Sequence, residues 1–305
     1  MENAAKNFYR HFYMKSSGYI PSKPLNSSLF PGDFFQIQNG EIIVLGNIYH
    51  NNVIAPGEKE IDYGFKLNPI GWSFGEGVQK PYSGRGSGTD PISGEFEFNK
   101  QILTFDKKGS FIFHADAPEA VKITNWNELQ QELIIRLTQT YFSFRELYVV
   151  TEVVSAAEWN LIIAGAENAE VEISGEADSF GLSNLFSHHS SKVVQSRDID
   201  CYYREKKRKP CFFKAKKLAV REEKTDTLTT YITAQIQEQN QWANNFFDFN
   251  FEASEMYMPY STEYNSLNIL DMLPANELNP NTALQYFKWA DTSLNDVEKL
   301  FTANV

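Results

Sequence analysis

The chain has 305 residues, 42% of them hydrophobic, and a net charge of −11, so it is long enough to bury a full core as one large domain, or one domain with a small appendage. Its acidic balance opposes general nucleic-acid binding, which requires Lys and Arg in excess against phosphate. Phe (24) and Tyr (15) far outnumber Trp (5), which favours β-rich or α+β architecture.

Residues 2–15 suit a short helix with Phe8, Phe12 and Tyr13 on one side, broken by Ser16, Ser17 and Gly18. Prolines 21, 24 and 31 then forbid helix and suit an extended edge run. DFFQIQ and EIIVLG flank Asn39-Gly40 and read as a hairpin with a type I′ turn. From Asn51 to Pro91 the composition shifts to Gly, Pro and Ser, which reads as a mobile loop. Its GRGSG has neither the flanking strand and helix nor the Lys-Ser/Thr of a phosphate loop.

GEFEFNKQILTF alternates Phe96 and Phe98 against Glu95, Glu97 and Asn99, and Asp106–Gly109 reads as the turn of a second hairpin into SFIFHADA. Asn125 and Glu128 fit a capping box ahead of a helix striped by Trp126, Leu129, Leu133, Leu137 and Tyr141. Residues 146–203 read as strands, divided at Ala156-Ala157, at 166–168 and at the polar stretch 175–191; Glu170 and Glu172 alternate with Val171 and Ile173 on a wet face. Helix is favoured over 222–243, with Leu228, Ile232, Ile236 and Trp242. The tail beyond Asn244 is aromatic and acidic, and ends in two short helices, TALQYFKWA and SLNDVEKLF, with Ser293 and Asp296 capping the second. Leu284, Phe287, Leu294, Val297, Leu300 and Phe301 need apolar cover, which the body of the protein supplies. Domain organisation is therefore 1–243 as the main body and 244–305 as a C-terminal segment.

No stretch matches a nucleophile elbow or a zinc-protease helix. His188-His189 with Asp178, Asp198 and Asp200 lack metal-ligand spacing, because adjacent residues point to opposite sides of a strand. His11, His50 and His114 are scattered singles. Paired carboxylates read as wet strand faces rather than an acid/base pair. No cofactor, metal or enzymatic activity is expected. Cys201 and Cys211 form no disulfide framework and suit a reducing compartment. The start lacks a signal-peptide core and no run reaches about 18 apolar residues, which reads as cytoplasmic. The basic block stands apart: Arg204, Lys206, Lys207, Arg208, Lys209, Lys214, Lys216 and Lys217 put eight cations into fourteen residues. It reads either as a solvated charge run or as a contact for anionic lipid headgroups.

The order SSGYIPSKPLNSSLFPGDFFQI, IIVLGNIY, a Gly-rich hairpin region, NELQQELIIRL and ELYVVTEVVSAAEWNLII, spanning about residues 8–220, resembles the bacterial gasdermins. The resemblance implies an α+β fold with a twisted, mostly antiparallel central sheet and peripheral helices. It also implies a protease-activated pore-forming protein that is cytoplasmic when inactive and membrane-bound when active, with cell death in anti-phage defence as its setting. The implied partners are an activating protease, anionic membrane lipids and further copies of the chain. In that frame residues 244–305 are autoinhibitory, and 75–113 and 169–203 convert from loop-like, partly polar regions into membrane strands. Bacterial gasdermins carry a palmitoylated cysteine near the N-terminus; residues 1–20 here contain none, and the tail is longer than is usual in that group. The alternative is a β-rich structural or interaction protein of a phage or secretion assembly; an enzyme built from scattered residues is a further rival.

Overall fold

The computed structural model describes residues 2–90, 94–138, 147–176, 192–228, 230–231, 234 and 280–302. In chain order, helix α1 (Glu2–Lys15) leads to β1 (Ile20–Pro21), β2 (Asp33–Gln38), β3 (Glu41–Asn47), β4 (Ile61–Lys66), β5 (Ser73–Glu76), β6 (Val78–Asp90) and β7 (Gly94–Phe105). Then come β8 (Phe111–Asp116), β9 (Glu119–Ile123), α2 (Trp126–Thr138), β10 (Tyr148–Ser155), β11 (Glu158–Ala164) and β12 (Ala169–Glu176). The chain continues through β13 (Lys192–Arg197), β14 (Ile199–Glu205) and β15 (Pro210–Val220) to α3 (Pro280–Tyr286), β16 (Phe287–Asp291) and α4 (Leu294–Lys299).

The fold is α+β and its strand pairings are antiparallel, in an eight-stranded main sheet and two four-stranded sheets. The centre of the main sheet is the β10–β15 pair. Beyond β10 lie β2 and β3 at one end and β9 and β4 at the other; beyond β15 lie β1 and β16. The period-two alternation of strands sends Phe35, Tyr148 and Val150 into one core and Phe34, Leu147 and Val149 into another on the opposite face. The first core is an aromatic cluster under α1: Phe8 and Phe12, four residues apart on one helix face, are fully buried, and Phe12 stacks on Phe212 at 4.9 Å between ring centroids. The second core lies under α2, whose Leu129, Leu133 and Leu137 are buried as its stripe requires. Tyr141 lies outside the described residues.

The β2–β3 turn has Asn39 at φ 52° and Gly40 at φ 78°, the left-handed pair a type I′ turn demands. Helix α1 ends where expected, at Ser17 and Gly18, both with positive φ.

Four readings from sequence are corrected. The stretch 51–91, read as a loop, contains β4, β5 and thirteen-residue β6 among its described residues 51–90, because a Gly/Ser-rich segment gains a hydrogen-bond ladder against β7 that composition cannot reveal. Asp106–Gly109 does not close a hairpin: β7 pairs with β6 and β12, whereas β8 pairs with β5 and β11, so the chain bends there from one sheet into the next. The Asn125–Glu128 capping box does not form. Asn125 Nδ2 donates to the Glu58 carbonyl at 2.8 Å, and its buried Oδ1 takes no hydrogen bond. Finally, the FKWA of the tail is strand β16, since a seven-residue helix is marginal alone and five cross-strand partners on β15 outweigh its continuation.

Candidate functional site

The two four-stranded sheets are one structure bent at a single level. The orders β14-β11-β8-β5 and β13-β12-β7-β6 match strand for strand, and each strand of the first runs into its counterpart in the second. The second sheet is therefore a ribbon made of two hairpins joined side by side through β7 and β12.

All four crossings carry a left-handed residue: Gly77 at φ 63°, Gly109 at 80°, Asn168 at 56° and Asp198 at 57°. Gly, Asn and Asp tolerate that region best. Backbone hydrogen bonds tie the crossings into a line: Asp106 N–H to Gly77 O (2.9 Å), Gly109 N–H to Ala164 O (2.9 Å), Asn168 N–H to Phe105 O (2.9 Å) and Gly165 N–H to Asp198 O (2.8 Å). A third apolar cluster, with Leu103, Phe105, Ile162, Val171 and Ile173, packs along the same line. A cavity of about 200 Å³ beside it is lined by Ser73, Phe74, Gly75, Gly77, Val78, Ile112 and His114. His114 Nδ1 lies 3.1 Å from Ser73 Oγ, and burial lowers the histidine pKa against the opposing pull of Asp116 and Glu158.

Strands β6 and β7 have 13 and 12 residues, more than the roughly 9–11 that a tilted strand needs to cross a bilayer. Register sets Gly84, Gly86 and Gly88 opposite Lys100, Phe98 and Phe96, and Ser83, Arg85, Ser87 and Thr89 opposite Gln101, Asn99, Glu97 and Glu95. Composition thus alternates with period two along this hairpin, the pattern of strands with one apolar and one polar face. The ribbon's outer strands are β6 and β13, each paired on one side only among the described residues. Pro81 falls at an irregularity between Gln79 and Tyr82, and proline is confined to such edge positions. Regions 75–113 and 169–203, expected as loop-like before conversion, are thus already strands where they are described, except at the crossings themselves; 91–93 and 177–191 lie outside the described residues, with His188, His189 and Asp178 among the latter. Among the described residues no group of three His, Cys, Asp or Glu is placed to hold a metal, and no helix is long and apolar enough to cross a membrane.

The described part of the C-terminal segment straddles the edge of the main sheet. β16 pairs with β15 through Phe287↔Val220 to Asp291↔Lys216. On one side Ala283, Tyr286 and Phe287 enter the core beneath α2, with Leu284 half-buried against it. Trp289 Nε1 donates to the Gln130 carbonyl there at 2.9 Å. On the other side Val297 and Leu300 are buried beside α1, and Phe301 meets Tyr9 edge-on at 5.0 Å. Leu294 is half-buried.

The anchor is Asp296, only 3% exposed. Its Oδ1 accepts from Tyr148 OH at 2.8 Å and Lys217 Nζ at 2.9 Å, and its Oδ2 accepts from Ser293 N–H and Oγ–H at 2.8 Å each. Burial alone would raise this carboxyl's pKa. The Lys217, Ser293 and Tyr148 hydrogen bonds more than offset it and hold the group at about 2. The Ser293–Asp296 pairing expected from sequence is thus present, and it does a second job.

Most of the basic block is engaged. Arg204 pairs with buried Glu158, Lys209 with Glu205 at 2.9 Å and Arg208 with Glu119 at 3.0 Å, while Lys214 lies 4.2 Å above the Tyr19 ring. Lys216 and Lys217 reach the tail at Asp291 (2.7 Å) and Asp296. Glu205 organises the β14–β15 turn: burial would raise its pKa, but Lys209, the Lys207 N–H and Tyr203 bring it below the usual range. Lys206 and Lys207 are exposed and make no ion pair among the described residues. The turn lies at the end of β14 remote from the ribbon.

Sequence reasoning found the tail's apolar residues and Asp296, but missed the bend line, Glu76 at its margin and Tyr148 as the acceptor's partner. The Gly, Asn and Asp at each strand break were the available signal for the bend.

No protein-family profile and no curated protein sequence matches the chain. Among solved structures it is similar to the Gasdermin A3 membrane pore, at 12% identity over 71% of this chain and 90% of that one, with a TM-score of 0.31. It is also similar to a bacterial gasdermin from Bradyrhizobium tropiciagri, at 10% identity over 66% and 81% of the two chains, with a TM-score of 0.26. Both bear the name of the family that the sequence resembles.

Proposed function

We propose that this chain is a pore-forming protein whose ribbon enters the membrane and whose C-terminal segment, 244–305, restrains it until a protease separates the two. The observation that carries the reading is the ribbon: four antiparallel strands, two edges open among the described residues, and a first hairpin already long enough to span a bilayer. Open edges cannot face lipid, so insertion requires copies to pair edge to edge and close a barrel. An even strand count supports this, because β6 and β13 run in opposite directions and the next copy continues the alternation without a parallel junction.

The tail residues Leu284, Phe287, Leu294, Val297, Leu300 and Phe301 are the proposed restraint, with Asp296 as their polar anchor. The test uses the full chain with a site-specific protease sequence placed within 244–279. Cutting it in the presence of anionic liposomes is expected to release dye; a cleaved protein that sheds its tail, stays folded and leaves the liposomes intact rejects the reading.

For the lipid contact the engaged cations leave Lys206 and Lys207 as the available charges. At about 1 kcal/mol each, Lys206→Glu with Lys207→Glu is expected to weaken binding of the uncut chain to anionic vesicles by roughly thirty-fold or more in low salt. Their position remote from the ribbon suits capture of the closed chain rather than a contact in its inserted form. Unchanged binding in a sedimentation assay removes the lipid role from this block.

A further inference from the structure

Helix α1 touches both the tail and the base of the ribbon, on different flanks. At about 100° per residue, Lys6, Arg10 and Tyr13 fall within about 60° of one another, and so do Ala4, Asn7 and His11 about 120° away, with Phe8 and Phe12 facing the core on the remaining side of the helix. The first flank meets the tail: Glu298 lies 3.8 Å from Lys6 and 3.4 Å from Arg10, and Tyr13 OH donates to the Thr292 carbonyl at 2.6 Å. The second flank meets the bend line. Asn7 Nδ2 donates to Glu76 Oε2 at 3.0 Å and to the Gly109 carbonyl at 3.2 Å, and His11 Nε2 lies 3.0 Å from the same Glu76 oxygen.

Glu76 is the last residue of β5 and precedes the left-handed Gly77, and its other oxygen lies 3.6 Å from Lys107, within the adjoining bend. One carboxylate, itself at the edge of one crossing, therefore gathers groups from α1 and from a second crossing. On the core side Phe8 packs on Phe111 at 5.4 Å and Phe12 on Phe74 at 5.8 Å, rings that belong to strands flanking those crossings.

We infer that α1 couples the seating of the tail to the order of the ribbon base, with Glu76 as the positioning residue on the ribbon side. The tail steadies the tail-facing flank of α1, and a steadied helix presents Asn7 and His11 to Glu76. Loss of either set of contacts loosens the other, because coupling between two sites through a shared element is reciprocal. Each exposed ion pair is weak alone; the coupling resides in the rigid helix that shares one aromatic core with both partners. This device belongs to the closed chain and does not require that the ribbon enter a membrane.

The test is amide hydrogen exchange on the full-length protein, without lipid. Glu76→Ala is expected to accelerate exchange about five-fold or more in β5 and at 101–105, and by a similar factor in β16 and α4, which it does not touch. Glu298→Ala with Phe301→Ala is expected to do the same in reverse, accelerating β5 and 106–110. The shape-preserving Glu76→Gln should give a smaller effect with the same distribution. Acceleration confined to the mutated side overturns the coupling, as does acceleration that spreads equally to α2, which marks a general loss of stability. A chain that passes this test but leaves liposomes intact after cleavage keeps the coupling and loses the pore.

Discussion

Replacing Asp296 with alanine is expected to unseat α4 and β16 while the rest of the main sheet stays folded. The substitution takes from Lys217 its carboxylate and removes the Asp296 oxygen to which the Tyr148 hydroxyl donates. The shift of the carboxyl from 3.8 to about 2, which already contains those hydrogen bonds, corresponds to about 2 kcal/mol of preferential stabilisation of its charge, and removing one partner of a buried charged pair costs roughly 3 kcal/mol. Hydrogen exchange in β16 and α4 reports it, with a fall in thermal stability; unaltered protection there removes Asp296 as the anchor. Because the seated pKa is depressed, the carboxylate's contribution is full above about pH 4 and is lost as pH falls through about 2. Acid titration of the wild-type chain is therefore expected to expose tail amides in that window, and the Asp296→Asn protein to lack this step.

Replacing Gly77 with valine is expected to be comparably severe at the opposite end of the same mechanism. Its φ of 63° is hostile to a β-branched residue, and a Cβ there would lie 2.3 Å from Ser110 Oγ. The cost is about 3 kcal/mol, with accelerated exchange at the start of β6. Adding Ser110→Gly removes the clash but not the backbone penalty and should restore only part of the loss. Full restoration by the second change would assign the effect to crowding alone and remove the conformational role given to the bend.

What the sequence made legible follows the reach of each signal. The Phe8/Phe12 pair of α1, the Asn39-Gly40 turn and the Leu129–Leu137 stripe are local, and each is where the pattern placed it. The β6 strand was not legible, because SGRGSGT has little strand propensity of its own and is a strand only through the ladder with residues 94–105. β16 was read as helix for the same reason: the free edge of β15 that recruits it lies some seventy residues earlier in the chain. The basic block misled in another way. Counting charges shows eight cations, but beside Glu205 within the block itself, Glu158, Glu119, Asp291 and Asp296 arrive from four other elements to meet them, and no local count anticipates those four partners. Of the tail contacts, the apolar positions and the Ser293–Asp296 pair were visible, whereas Tyr148 and Lys217 were not.

The way the terminal segment grips the β15 edge from both faces has a consequence for timing. Breaking the peptide backbone between the body and Pro280 removes none of the strand pairing, the Asp296 cluster or the rings that hold the segment in place. Scission and departure are therefore separate events, and the interval between them is governed by how slowly a non-covalently seated peptide dissociates. A nicked molecule would persist as a latent species with its own lifetime, and any ligand or neighbour that shortens that lifetime would act after the cut is made.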